Sequence, residues 1–372
     1  MKTTGLLLVT SLCGALFGSC GGNKQKTTEE TMNDRIENFS VKVPESSVQV
    51  YENSDCRAMT ATIDGVECMV AYSAPLHCID IVSLDSISSY QQIKLEGEGP
   101  NGVNQVSGIF YYDNSFILKC ATGFCRINRK GEVVSKWWMF DYLDNNSGWG
   151  LRFPEQTMVF NLYRHLGFDE VNGLVALPLY KHKKENGQYP TRILILSCND
   201  WKIVDEVDVN YPEQMKQEKW LGCLGEVQAL PHGEKLIYNF PASSDIFVYD
   251  RKNKTTEVYS IPTQYTESYY RCVDEQDTGL KDGYFMPIRY DRHRNNFWRV
   301  QQKKIIGTGV AGKPFSVTRL SADFDVINEY DTPERKEISS FSILFLSDKV
   351  LFPYLGGEYI GLDNIVFYGI KL

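Results

Sequence analysis

The chain has 372 residues, 42% hydrophobic and 23% charged. That composition excludes a disordered or fibrous protein and allows one large domain or two ordinary ones. The formal net charge is −8, with no basic cluster, which excludes nucleic acid as an expected partner because phosphate binding needs clustered Lys and Arg. Aromatic residues reach 13%, mostly Tyr (22) and Phe (19), a bias that favours strands over helices.

The first residues read as a targeting segment. Lys2 supplies a one-charge start, and Gly5 to Phe17 is an apolar stretch too short for an ordinary spanning helix. Phe17-Gly18-Ser19-Cys20 resembles a bacterial lipobox, in which the cysteine is acylated and becomes the mature N-terminus. The expectation is a signal peptide over residues 1–19, lipidation at Cys20 and a polar tether over residues 20–37. A single folded domain, residues 38–372, would follow, anchored by lipid in the cell envelope, at the outer membrane. Which membrane face it occupies stays open. After Cys13 and Cys20, the remaining cysteines are Cys56, Cys68, Cys78, Cys120, Cys125, Cys198, Cys223 and Cys272. Disulfides and buried free thiols are equally open, and Cys120 and Cys125, bracketing a turn, are the best-placed pair.

Two short strands, Phe39 to Val43 and Val48 to Tyr51, precede a recurring four-strand pattern. Each unit has an inner pair of strands and then an outer hairpin. The units run from Ala58 to Leu95, Val106 to Phe140, Val159 to Val209, Gly225 to Ile261, Tyr284 to Pro333, and Phe341 to Leu372. The clearest hairpin is DIFVYDRKNKTTEVYSI, Asp245 to Ile261. Ile246 and Val248 point to one side of its first strand, and Phe247 and Tyr249 to the other. Two apolar faces need cover on both sides, as in a blade between neighbouring blades. Hairpin starts recur at intervals of about 43 to 70 residues, against about 40–50 for a plain propeller blade. Three insertions absorb the excess: Asp141 to Thr157, Asn210 to Leu224 and Thr263 to Gly283. The expected fold is an all-β propeller of six blades with four antiparallel strands each, seven if an insertion hides a blade. The strand before Cys56 would complete the last sheet and close the ring.

The stretch GEGPNGV, Gly97 to Val103, joins units one and two. It is similar to the Gly-x-Gly-Pro-Gly-Glu turn of TolB-like six-bladed propeller lipoproteins from Bacteroidales, departing from it at Asn101-Gly102. FPASSDIFVYDRKNKTTEVYSI (Phe240 to Ile261) and YDRHRNNFWRV (Tyr290 to Val300) resemble a sister set known as a domain of unknown function. The resemblance implies a six-bladed propeller lipoprotein and brings no activity with it. Gly97, Gly99 and Pro100 read as a tight connector; no Lys-Ser/Thr follows to make a phosphate loop.

Motifs for catalysis are sparse. His77, His165, His182, His232 and His293 are scattered without metal-ligand spacing, and His293 lies in a charged turn where solvent is its expected neighbour. No GxSxG elbow occurs, and the paired acids Asp323 and Asp325, or Glu267 and Asp274, read as surface. No cofactor or metal is expected. The region Trp137 to His165 gathers aromatics, amides and Arg; within it Asn146, Trp149, Arg152, Tyr163 and Arg164 are candidate ligand-binding residues. The expected function is non-catalytic binding of a protein, peptide or glycan by loops on one ring face. The alternative is a propeller enzyme, a polysaccharide lyase or hydrolase, whose acid and base converge from several blades.

Overall fold

A computed structural model describes residues 36–42, 58–84, 89–151, 153–155, 167–185, 188–272, 283–304, 314–332, 338, 342–354 and 364–372. Strand β1 (Ile36–Lys42) is held back for the last sheet. Blade one is β2 (Ala58–Ile63), β3 (Val66–Ser73), β4 (Cys78–Ser83) and β5 (Tyr90–Lys94). Blade two is β6 (Gly108–Tyr112), β7 (Ser115–Cys120), β8 (Gly123–Asn128) and β9 (Val133–Trp138). A helix, α1 (Met139–Asn145), leads to blade three: β10 (Trp149–Gly150), β11 (Phe168–Asp169), β12 (Leu174–Lys181), β13 (Thr191–Ser197) and β14 (Ile203–Asp208). Blade four is β15 (Gln228–His232), β16 (Lys235–Asn239), β17 (Asp245–Asp250) and β18 (Thr255–Ser260). Blade five is β19 (Tyr284–Phe285), β20 (Arg289–Asp291), β21 (Asn296–Gln302), β22 (Phe315–Leu320) and β23 (Val326–Asp331). Blade six is β24 (Leu344–Phe345), β25 (Lys349–Pro353), β26 (Asn364–Lys371) and, outermost, β1. All pairings are antiparallel, and the fold is the expected six-bladed propeller.

Alternation of side chains explains why the sheets stack. Ile246 and Val248 of β17 join a cluster with Ile288, Phe297 and Leu320 of blade five. Phe247, on the opposite face, stacks on Tyr238 at 4.9 Å in a cluster that includes Ile193 and Ile195 of blade three. The two-sided burial stops at that strand: its partner β18 is largely exposed, with Val258 at 55%. An outermost strand has its neighbours splayed away by the wedge shape of the blades, so only the inner strands need two apolar faces.

The ring closes twice. β1 pairs with β26 from Ile36↔Ile370 to Lys42↔Asn364, so the N-terminal strand completes the last sheet as the sequence implies. Val41, Leu344, Leu351 and Phe367 of blade six then share a core cluster with Met69, Ala71 and Val82 of blade one. The innermost strands of blades three and five are each broken in two. β10 and β11 both pair with β12, and β19 and β20 both pair with β21. In blade five the gap holds Pro287, which has no N–H to give the ladder. The expected strand at Val48 to Tyr51, the start of unit three at Val159, and the signal, Cys20 and most of the tether lie outside the described residues.

The antiparallel order divides the loops between two faces. Connectors between blades and the second-to-third-strand turns share one face, here the connector face. First-to-second and third-to-fourth-strand turns share the other, the turn face. All three insertions are blade-to-blade connectors and so lie on the connector face. The Gly97–Val103 stretch is structural there: Gly99 has φ +82°, Gly102 N–H donates to Gly99 O at 2.9 Å, and Val103 N–H donates to Glu96 O at 2.8 Å. A Cβ on Gly102 would meet the Glu98 backbone carbon at 2.7 Å, so only glycine closes the turn this tightly.

Candidate functional site

The residues singled out from the sequence divide. Trp149 is half-buried in β10, opposite Lys181, with the Lys181 ammonium 5.5 Å and the Arg192 guanidinium 5.1 Å from its ring centre. Arg192 is in turn tied to Glu206 at 2.9 Å and Asp208 at 2.7 Å. Asn146 donates its amide to Tyr142 O at 2.9 Å, a bond that finishes α1. The two residues therefore stand at the inner edge of blade three, engaged with their own chain. Arg152, Tyr163 and Arg164 lie outside the described residues.

A larger opening lies further round the connector face, at the insertion between blades four and five. It is a groove of about 770 Å³ lined by Gln264, Tyr265, Thr266, Glu267, Tyr269, Tyr270, Arg271, Lys303 and Lys304. The cations flank the rings: Arg271 stands 5.6 Å from the Tyr269 centre and Lys303 5.1 Å from that of Tyr265. Each is also anchored from behind, Arg271 by Glu218 at 3.1 Å and Lys303 by Asp331. Burial, with Glu218 adding to it, holds the Tyr269 phenol well above its usual range, so the ring is neutral near pH 7. The insertion is anchored at its foot. The Arg299 guanidinium, fully buried in β21, donates to Ser244 O at 2.6 Å and Ile261 O at 2.8 Å, binding blade five to the foot of the insertion.

On the turn face the first turns of the blades meet at the axis in a polar collar. Arg292 of blade five reaches Glu170 of blade three at 3.1 Å and Thr62 of blade one at 2.6 Å. His293 Nε2 lies 3.2 Å from Glu67 of blade one, whose carboxylate also accepts the Ser347 N–H of blade six at 3.0 Å. Arg294 donates to Leu346 O at 2.9 Å, and Asp169 accepts the Gly233 N–H of blade four at 2.7 Å. Burial raises the Glu170 carboxyl despite the pull of Arg292. Burial, then Arg292, lowers His293 despite Glu67. The solvated His293 expected from the sequence is therefore corrected in part: its imidazole is only 19% exposed and stands against Glu67 of blade one. A shallow depression of about 210 Å³ opens here between Thr62, Tyr111, Asp113, Glu170 and Arg292.

The sequence profile of the family described as Domain of unknown function (DUF4221) matches residues 53–331. The chain belongs to that family. Its fold is also that of a solved DUF4221 member from Bacteroides vulgatus ATCC 8482, at 16% identity and a TM-score of 0.68, with 91% of this chain and 98% of the other covered. A "Putative exported protein" from Bacteroides fragilis NCTC 9343 is similar at 12% identity and a TM-score of 0.53, covering 93% of this chain and 98% of its own. No curated protein matches the sequence. Neither the collar nor the tyrosine groove of this DUF4221 propeller stood out in the sequence. The collar's bonded members are separated by up to 280 residues, as for Ser347 and Glu67. The groove had one legible signal, the cluster QYTESYYR (Gln264 to Arg271), where tyrosines and charge crowd into an insertion too short to bury them alone.

Proposed function

We propose that the chain is a cell-envelope binding propeller that takes a glycan or peptide through its connector face. The observation that carries this reading is the groove at the blade four–five insertion. Three tyrosine rings stand there beside donors (Arg271, Lys303, Lys304, Gln264) and an acceptor (Glu267). Flat apolar rings flanked by hydrogen-bonding groups match the alternating apolar and hydroxyl surfaces of a sugar, or the side chains and amides of an extended peptide. The envelope location is supported by the apolar N-terminal stretch ending at Cys20 and by the name of the Bacteroides fragilis neighbour. The Asn146–Trp149 edge of blade three would then act as a secondary contact on the same face.

The collar gives the catalytic reading one observation of its own: Glu170, with a raised carboxyl, and the His293–Glu67 pair converge at the axis from three blades. Such a cluster is what a polysaccharide lyase or hydrolase would need. Titration calorimetry against panels of oligosaccharides and peptides separates the readings. Binding that weakens at least about tenfold in Tyr265→Ala, with no reducing ends or unsaturated sugars released, supports the binder. An affinity unmoved by Tyr265→Ala and Lys304→Ala removes the groove. Turnover lost in Glu170→Gln establishes the enzyme.

A further inference from the structure

The thiols of Cys120 and Cys125 are neither isolated nor sealed. Cys120 ends β7 and Cys125 lies in β8, across a turn whose two central residues are Ala121 and Thr122. In the register Leu118 faces Cys125 and Cys120 faces Gly123, so the two cysteines are diagonal neighbours on one side of the sheet. The Cys120 thiol donates to the Cys125 sulfur at 3.6 Å. Both line a cleft of about 300 Å³ on the connector face, bounded by Gly102 to Gln105, Lys136 and Trp137–Trp138. Lys136 is the register partner of Cys125, and its ammonium is fixed by Gly102 O at 2.8 Å. Cys120 and Cys125 are buried, as are the other described cysteines, Cys68, Cys78, Cys198, Cys223 and Cys272, but only this pair among them lines one of the pockets described above.

We propose that Cys120 and Cys125 form a reversible dithiol–disulfide pair that reacts through this cleft. The oxidant is a small-molecule disulfide. The Cys125 thiolate attacks one of its sulfurs, forming a mixed disulfide and expelling one thiolate. Cys120, losing its proton to solvent, then attacks the Cys125 sulfur and expels the second thiolate. Two protein thiols have given up two protons and two electrons, and the small disulfide has become two thiols. The order follows from the surroundings: the Cys120 hydrogen bond and Lys136 hold Cys125 below the usual thiol range, while the same bond and burial hold Cys120 above it. Diagonal strand neighbours are about 7–8 Å apart at Cα, beyond the roughly 4.4–6.8 Å that a relaxed disulfide prefers. The bridge must draw the hairpin together, which makes it easily reduced and suits a reversible pair better than a structural staple.

The test is equilibration of the reduced full-length protein with glutathione disulfide, then acid trapping, alkylation and mass spectrometry. The peptide from Cys120 to Arg126 carries both thiols, so an internal bridge shows as the loss of two hydrogens and of both alkyl groups. We expect this in the wild type, with complete reversal by dithiothreitol. Cys120→Ser should accumulate one glutathione on Cys125, because the resolving thiol is gone; Cys125→Ser should accumulate little. A wild-type peptide that keeps both free thiols overturns the proposal without recourse to any variant. A Cys120→Ser protein that takes up no glutathione overturns the assignment of Cys125 as the attacking thiol.

Discussion

Asp80 shows how a single side chain in blade one is held at a cost. It is fully buried in β4, where Oδ1 accepts from the Tyr90 hydroxyl at 2.6 Å and from Gln92 Nε2 at 3.1 Å. Its Oδ2 is buried with no hydrogen-bond partner. Burial outweighs those bonds and raises the carboxyl above its ordinary 3.8. A carboxyl whose folded value lies above its unfolded one stabilises fully below the unfolded value. That stability is lost as pH rises through the folded value. Asp80→Asn keeps one acceptor for Tyr90 and removes the charge, so it should raise the melting temperature at neutral pH, by about 1 kcal/mol of stability. The gain over wild type should shrink as the pH is lowered towards 3.8. Thermal melts of both proteins across that range check the sign; a gain that grows on acidification would show that the ionised form is the stabilised one.

Among the elements, β1 carries the most consequence per residue. It supplies the fourth strand of blade six, with Val41 buried and Phe39 packed 6.2 Å from Phe367. Burial of those two side chains stabilises by roughly 3 kcal/mol, and each ladder bond adds about 1 more. Deletion of residues 36–42 should therefore cost at least about 4 kcal/mol and leave β26 as an exposed edge, with aggregation on dilution from denaturant. A truncated protein that unfolds at the wild-type urea midpoint would show that blade six does not need its N-terminal strand. This closure was legible in the sequence because Phe39 to Val43 alternates apolar and polar residues and Ile365 to Ile370 reads as a strand it could pair with. The blades were legible for a related reason: Ile246, Phe247 and Val248 are apolar in succession, which only a strand covered on both sides requires. The split inner strands were not legible. Two-residue pieces such as β10 and β11 carry too few side chains to show a period, and Trp149 therefore read as loop although it pairs with Lys181. The groove tyrosines were passed over because an insertion rich in polar residues has no alternation to flag them.

At the scale of the whole ring, the collar links blades that are not neighbours. Among the described residues, apolar clusters join blade one to two, two to three, four to five and six to one, and a larger cluster runs continuously through blades three, four, five and six. Arg292 adds direct hydrogen bonds from blade five to blades one and three, neither of which is its neighbour in the ring. Glu170, half-buried beside it, has its charge compensated by that guanidinium. Arg292→Ala should destabilise by about 1–3 kcal/mol, because it strands a desolvated carboxylate as well as removing two hydrogen bonds. Adding Glu170→Gln should recover part of the loss, since the stranded charge is gone, whereas two independent sites would simply add. Urea unfolding of the two single variants and the double variant measures the coupling. Additive losses would mean that the pair is two surface residues in proximity, and the ring would then owe its rigidity to neighbour packing and the β1 closure alone. Recovery in the double variant would mark the axis as a clamp. In that case the turn face is held shut by its own charges, and the connector face is where a ligand can be met without breaking them.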